Sequence, residues 1–169
     1  MKGLAITSKG LEEAACSEIR ELIGAGCEAK EKCAVFNFKK FEDLCLLCYK
    51  EQSVDRIIYL IDSFEFDGIN DFDKFIEKAN LSDWLKKYKK FKIECIRIGG
   101  HNFKSVDVEK KFIGILNKKY KNVKFDLKEY EIIFFVYIAD NKCYLGIDFA
   151  GFELNKRAYK IYLHPNSLR

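Results

Sequence analysis

The sequence predicts an α+β fold in two successive units, a β-α-β-α-β order followed by an ααβαββ order. Three observations lead there. Short alternating apolar runs recur between segments whose apolar residues keep helical spacing, so strands and helices are interleaved. The pattern breaks once, at Gly68-Ile69-Asn70, and restarts with two short amphipathic segments. Of 169 residues 49% are apolar, with no Pro/Gly/Ser-rich tract, so each unit has material for a core and no disordered linker is marked.

The elements follow in order. GLAITS (3–8) alternates as a short strand. In KGLEEAACSEIRELIGAG (9–26), Leu11, Ala14, Ala15, Ile19, Leu22 and Ile23 keep helical spacing, with Ser8 available as a cap and Gly24 and Gly26 as the stop. CAVFNF (33–38) reads as a strand and 41–50 as a short helix with Phe41, Leu44, Cys45 and Cys48 on one face. VDRIIYLIDSFEF (54–66) is a long strand. This order suits a ferredoxin-like α/β unit, a small sheet covered by two helices. Beyond the break, DFDKFIEKAN and SDWLKKY are short amphipathic helices and FKIECIRI (91–98) is a strand. SVDVEKKFIGILNKKY (105–120) is a helix with Val108, Phe112, Ile115 and Leu116 inward and Lys110, Lys111, Lys118 and Lys119 outward. Ser105 is placed to cap it, and Asp107 and Glu109 suit its first turn. EIIFFVYIADNKCYLGIDFAG is a hairpin turning at Asp140-Asn141.

Several function classes are disfavoured. The apolar run Ile132–Ala139 is far too short to span a bilayer as a helix, and the N-terminus lacks a signal-peptide core, so a soluble, cytoplasmic protein with no membrane partner is expected. Seven cysteines without a framework spacing suit reduced thiols, and the one CxxC, Cys45–Cys48, reads as core cysteines because no second pair exists to complete a metal site. Dinucleotide and Walker-type loops and a nucleophile elbow are absent, and only His101 and His164 offer imidazoles. No catalytic constellation and no metal site is expected.

Charge is distributed unevenly. Residues 1–80 carry 11 Lys/Arg against 16 Asp/Glu, residues 81–124 carry 13 against 4, and residues 125–169 carry 6 against 6. A basic block next to an acidic one suggests a polyanion, with nucleic acid the first candidate; the plainer reading is a solvated, solubilising face. The block's most informative stretch is RIGGHNFKS (97–105), which ends a strand and opens a lysine-bearing helix. A helix N-terminus attracts phosphate, and Arg97, His101 and Lys104 add charge around it. Phe103 is either a base-stacking platform or a residue packed on the helix.

These residues resemble a known family. FKIECIRIGGHNFKSVDVEKKFIGIL, followed by a hairpin closing on YLGIDFAGFELNKRAYKIYLHPNSLR, is similar to the THUMP domain of THUMP-containing RNA methyltransferases, above all the tRNA guanine N2-methyltransferases. The first motif is carried by Arg97, Gly99 or Gly100, His101, Phe103, Ser105, Glu109 and Gly114. The second is carried by Asp148, Gly151, Leu154, Lys156, Arg157, Tyr159 and Lys160. Asn155 and Ala158 depart from the family's His and Gly, and LKEYE (127–131) replaces its usual turn.

The resemblance implies a division into an N-terminal ferredoxin-like domain at 1–67, a THUMP RNA-binding domain at 68–162, and the start of a linker at 163–169. That linker leads, in complete members, to a Rossmann-like methyltransferase domain which binds S-adenosylmethionine. One proline in the chain leaves no room for that domain's Pro-Pro motif, so no cofactor and no catalysis are expected in this chain itself. The implied partner is tRNA, at its acceptor stem and 3′ CCA end, with ribosomal RNA the second candidate and the methyltransferase domain supplied in cis or in trans. The implied RNA contacts are Arg97, His101, Lys104, Lys110, Lys111, Lys156, Arg157, Tyr159 and Lys160. The alternative is a stand-alone THUMP adaptor that brings tRNA to another RNA-modifying enzyme.

Overall fold

The structure is a computed structural model that describes residues 1–156. Of the expected RNA contacts, Arg157, Tyr159 and Lys160 lie outside the described residues, as does the expected linker at 163–169. The described chain divides into two units, Met1–Tyr59 with residues 149–156, and Leu60–Asp148.

The first unit runs β1 (Lys2–Thr7), α1 (Glu12–Ile23), β2 (Cys27–Lys30), β3 (Cys33–Asn37), α2 (Phe41–Lys50) and the opening half of β4 (Val54–Glu65), with strand order β2-β3-β1-β4. The order is therefore βαββαβ, one strand more than the sequence pattern predicts. CEAK is short and half polar, and its turn into β3 uses Lys32 at φ 58 in place of an Asn-Gly signal, so local pattern gives little notice of it. Its pairing with β3 supplies what its composition lacks, matching Cys27 to Phe36 and Lys30 to Cys33. β1 pairs antiparallel with β3, and Gly3 lies opposite Phe36, where a Cβ would run into the Phe36 ring. α1 stops at Gly24, whose left-handed φ of 62 lets its N–H reach the Arg20 carbonyl. Ser8 does not act as its side-chain cap: the N-cap is Leu11, and the Glu12 carboxylate takes the N–H groups of Gly10 and Lys32.

The core of this unit gathers Ala15, Cys16 and Ile19 of α1, Leu44 and Leu47 of α2, and Phe36, Val54 and Ile57 from the strands. Two cysteine expectations are corrected here. α2 buries Leu44 and Leu47 and keeps Cys48 half-buried against the core as expected, but it turns Cys45 out to solvent. Cys16 and Cys27 form a disulfide instead of staying reduced, because the turn after α1 returns the chain beside the helix and sets their Cα atoms 5.3 Å apart, inside the bridging range. No disulfide joins Cys33, Cys45, Cys48, Cys95 or Cys143.

The second unit holds the closing half of β4, α3 (Asp71–Lys78), α4 (Ser82–Lys87), β5 (Lys90–Ile98), α5 (Ser105–Lys119), β6 (Lys124–Phe125), β7 (Ile132–Ala139) and β8 (Lys142–Asp148). Its order is ααβαβββ; the two-residue β6 is the addition to the predicted pattern, too short for any periodicity to announce. The strand order β8-β7-β5-β6 puts β7 inside, antiparallel to β8 and parallel to β5. Ile132–Ile138 are all buried, the continuous apolar run of a strand covered on both faces. The hairpin turns at Asp140-Asn141 as the sequence predicts, with Asp140 at φ 50. α5 buries Val108, Phe112 and Leu116, and α3 buries Phe72, Phe75 and Ile76. No described helix is long and apolar enough to cross a membrane.

Candidate nucleic-acid interface

The basic block folds into α4, β5, α5 and β6 of the second unit, and the joint between β5 and α5 is its most constrained part. Gly99 has φ 106, and a Cβ there would lie 2.9 Å from Asp140 Oδ1 and 3.3 Å from the His101 ring, so only glycine fits. Arg97 Nη1 donates to the Gly99 carbonyl at 3.1 Å and to His101 Nδ1 at 3.0 Å. A guanidinium only donates, so Nδ1 accepts and the proton of the neutral imidazole sits on Nε2. Nε2 in turn donates to the Asp140 carbonyl at 2.5 Å. His101 thus uses both ring nitrogens to tie the β7–β8 turn to the β5–α5 loop. Its ring packs beside Phe66 and Phe103, centroids 5.8 and 5.1 Å away. Phe103 also meets Phe66 and Phe72, which makes it a packed residue and not an open platform for a base. Arg97 keeps Nη2, for which the described residues offer no hydrogen bond, while its Nε is buried without one.

The N-terminus of α5 is less inviting to phosphate than the sequence implies. Asp107 accepts the Lys104 backbone N–H at 2.8 Å, so a carboxylate already occupies the first turn, and Lys104 rather than Ser105 is the N-cap residue. Lys104 itself is exposed.

The lysines of α5 separate into two kinds. Lys111 is half-buried and donates to both carboxylate oxygens of Asp73, at 2.8 Å each, and Lys119 donates to the carbonyls of Glu77 and Ala79 at 2.6 and 3.3 Å. These two fasten α5 to α3; Lys119 faces out as expected, whereas Lys111, expected to face out, is half-buried against Asp73. Lys110 and Lys118 are exposed, and among the described residues neither makes an ion pair. Lys118 also borders an open cavity of about 590 Å³ between α3 and α5, lined by Asp73, Glu77, Ile115 and Lys119. Lys156 belongs to the first unit and pairs with Glu153 at 2.7 Å, an exposed contact of little energetic weight.

Nucleophilic or metal chemistry finds little here. Burial pushes the Cys95 thiol up to about 12 and the Cys33 thiol up to about 11, so neither supplies a thiolate. Glu109, which accepts the Cys95 N–H at 3.1 Å, is also raised by burial. Among the described residues no group of three or more His, Cys, Asp or Glu stands together to hold a metal ion. Two partners of the expected residues, Asp73 and Asp140, escape sequence reasoning: each lies nearly 40 positions from the side chain it meets, and no local spacing connects them.

Residues 67–148, the stretch that folds into this α+β unit, match the THUMP domain family model. Over most of its length the chain is similar to tRNA (guanine(6)-N2)-methyltransferases. A tRNA (guanine(6)-N2)-methyltransferase of Methanocaldococcus jannaschii is 29% identical over 170 residues, which cover 95% of this chain and 45% of the relative. The crystal structure of TrmN from Thermus thermophilus superposes with a TM-score of 0.71 at 20% identity, over 93% of this chain and 48% of that one. A 4-thiouridine synthetase–RNA complex with bound ATP superposes with a TM-score of 0.58 at 13% identity, over 87% of this chain and 40% of that one. The chain spans less than half the length of each.

Proposed function

We propose that this chain is the RNA-gripping part of a tRNA guanine N2-methyltransferase. It holds the acceptor stem and unpaired 3′ CCA end so that an S-adenosylmethionine-dependent domain, in cis or in trans, meets its target nucleotide. The observation that carries the reading is the concentration of unpaired cations on a THUMP unit: Lys104, Lys110 and Lys118 are exposed and free of ion pairs among the described residues. The proposed contacts are Arg97 through Nη2, Lys104, Lys110, Lys156, Arg157, Tyr159 and Lys160, with His101 and Lys111 holding the framework. The named relative and the RNA complex support the substrate class. The βαββαβ order with strand order β2-β3-β1-β4 supports a ferredoxin-like assignment for residues 1–67, and 68–162 is the proposed extent of the RNA-binding domain.

A single-stranded end exposes base faces and Watson–Crick edges that a duplex hides. The test compares an acceptor minihelix ending in CCA with the same minihelix blunt-ended, by fluorescence anisotropy at one salt concentration. Stacking is worth roughly 1–3 kcal/mol per base, so loss of the end should weaken binding at least about tenfold. Equal affinities would remove end recognition from the account.

A further inference from the structure

Gly114 lies in the middle of α5, exposed, and a Cβ built on it would meet nothing within 4 Å. Its φ is not positive. Neither a turn nor close packing among the described residues asks for glycine there, unlike Gly99 against Asp140 or Gly3 against Phe36. Glycine inside a helix weakens it relative to alanine through backbone entropy. The helix therefore gives up stability at this position with no return among the described residues, and departures of that kind concentrate at functional sites.

The surroundings indicate what would use the space. Lys110 and Lys118 stand one turn to either side, at i−4 and i+4, and Asn117 is the neighbour at i+3; all three are exposed. On α5 itself the nearest acidic residue of that face, Asp107, is two turns from Gly114 and engaged with the Lys104 N–H, while Asp73 and Glu77 of α3 line the cavity that Lys118 borders, Asp73 already held by Lys111. The centre of the stripe presents helix backbone and no apolar side chain, the opposite of the apolar core expected of a protein–protein contact. Two cations about 12 Å apart along the axis, with a gap between them that admits close approach, fit a narrow chain of regularly spaced anions.

We infer that the outward stripe Lys110–Gly114–Asn117–Lys118 seats an RNA backbone. A ribose-phosphate unit lies directly on the helix at Gly114, and flanking phosphates meet the two lysines. This rests on the proposed function and adds to it the surface and the residue that set how closely RNA approaches.

The test is Gly114→Ala in the 169-residue chain, read by calorimetry and by anisotropy with the CCA minihelix at fixed salt. Alanine should raise Tm by about 2–4 °C. The same change should weaken RNA binding by at least about fivefold, and Gly114→Leu by more. Lys118→Ala should flatten the slope of log affinity against log salt by roughly 0.9. A more stable Gly114→Ala protein that binds RNA as tightly as wild type overturns the inference and leaves the proposed function standing. Absence of RNA binding by the wild-type chain overturns both.

Discussion

Lys110 and Lys111 are adjacent in sequence and should respond in opposite ways to the same substitution. Lys111 Nζ lies 2.8 Å from both Asp73 oxygens, with side-chain exposures of 25% and 46%, so the pair is partly shielded from solvent. Exposed ion pairs contribute up to about 1 kcal/mol, and charge-assisted, two-point geometry puts this one at the upper end of that range. For a chain of this size, a loss of about 1 kcal/mol lowers Tm by about 2–4 °C. Lys110 has no such partner, so Lys110→Ala should leave Tm within about 1–2 °C of wild type. RNA binding should separate the two in the other direction. Each phosphate contact on a duplex contributes about 0.9 to the salt slope, so Lys110→Ala should make the slope shallower by that amount. Lys111→Ala should leave the slope unchanged. The assay is anisotropy with the CCA minihelix at four or five salt concentrations, beside calorimetry of each variant. Equal slope changes for both variants, or a Tm loss for Lys110→Ala matching that of Lys111→Ala, would refute the division of the lysines into anchors and contacts.

Two further outcomes follow from the first unit. The Cys16–Cys27 bridge closes a loop of sequence separation 11, so its reduction should cost about 3 kcal/mol. Thiol counting on protein denatured without reductant should find five reactive cysteines; seven would contradict the bridge. Glu51 is buried, and burial first, then the neighbouring Glu18 charge, pushes its carboxyl up to about 8. A raised carboxyl binds its proton more tightly in the folded state, so its contribution is complete below the ordinary value near 4.5 and is lost as pH rises to about 8. Melting followed from pH 5 to 9 should therefore show stability falling through that window, by at most about 1.4 kcal/mol per pH unit. Glu51→Gln should flatten the decline, and an unchanged pH profile for that variant would assign the decline to other groups.

What was legible in the sequence is what local spacing encodes. The inward face of α5, with Val108, Phe112 and Leu116, follows from helical periodicity alone. The β7–β8 hairpin follows from two apolar runs meeting at Asp140-Asn141. What stayed hidden depends on partners far along the chain. β2 exists because β3 pairs with it, the Cys16–Cys27 bond because a left-handed turn folds the chain back, and the Lys111 pairing because α3 lies against α5. The candidate site divides along the same line. Its cation-bearing helix was visible, whereas the commitment of His101 to Arg97 and the Asp140 carbonyl was not, since a histidine in a loop looks the same whether its nitrogens are free or bonded.

The central claim is that RNA lies on the outward face of α5, and mapping backbone amide chemical shifts during titration with the CCA minihelix tests it most directly. The account predicts that the largest changes fall on Lys104, Lys110, Gly114, Asn117 and Lys118, with the amides of α1 and α2 nearly still. Changes concentrated on α1 and α2, with α5 silent, would contradict it.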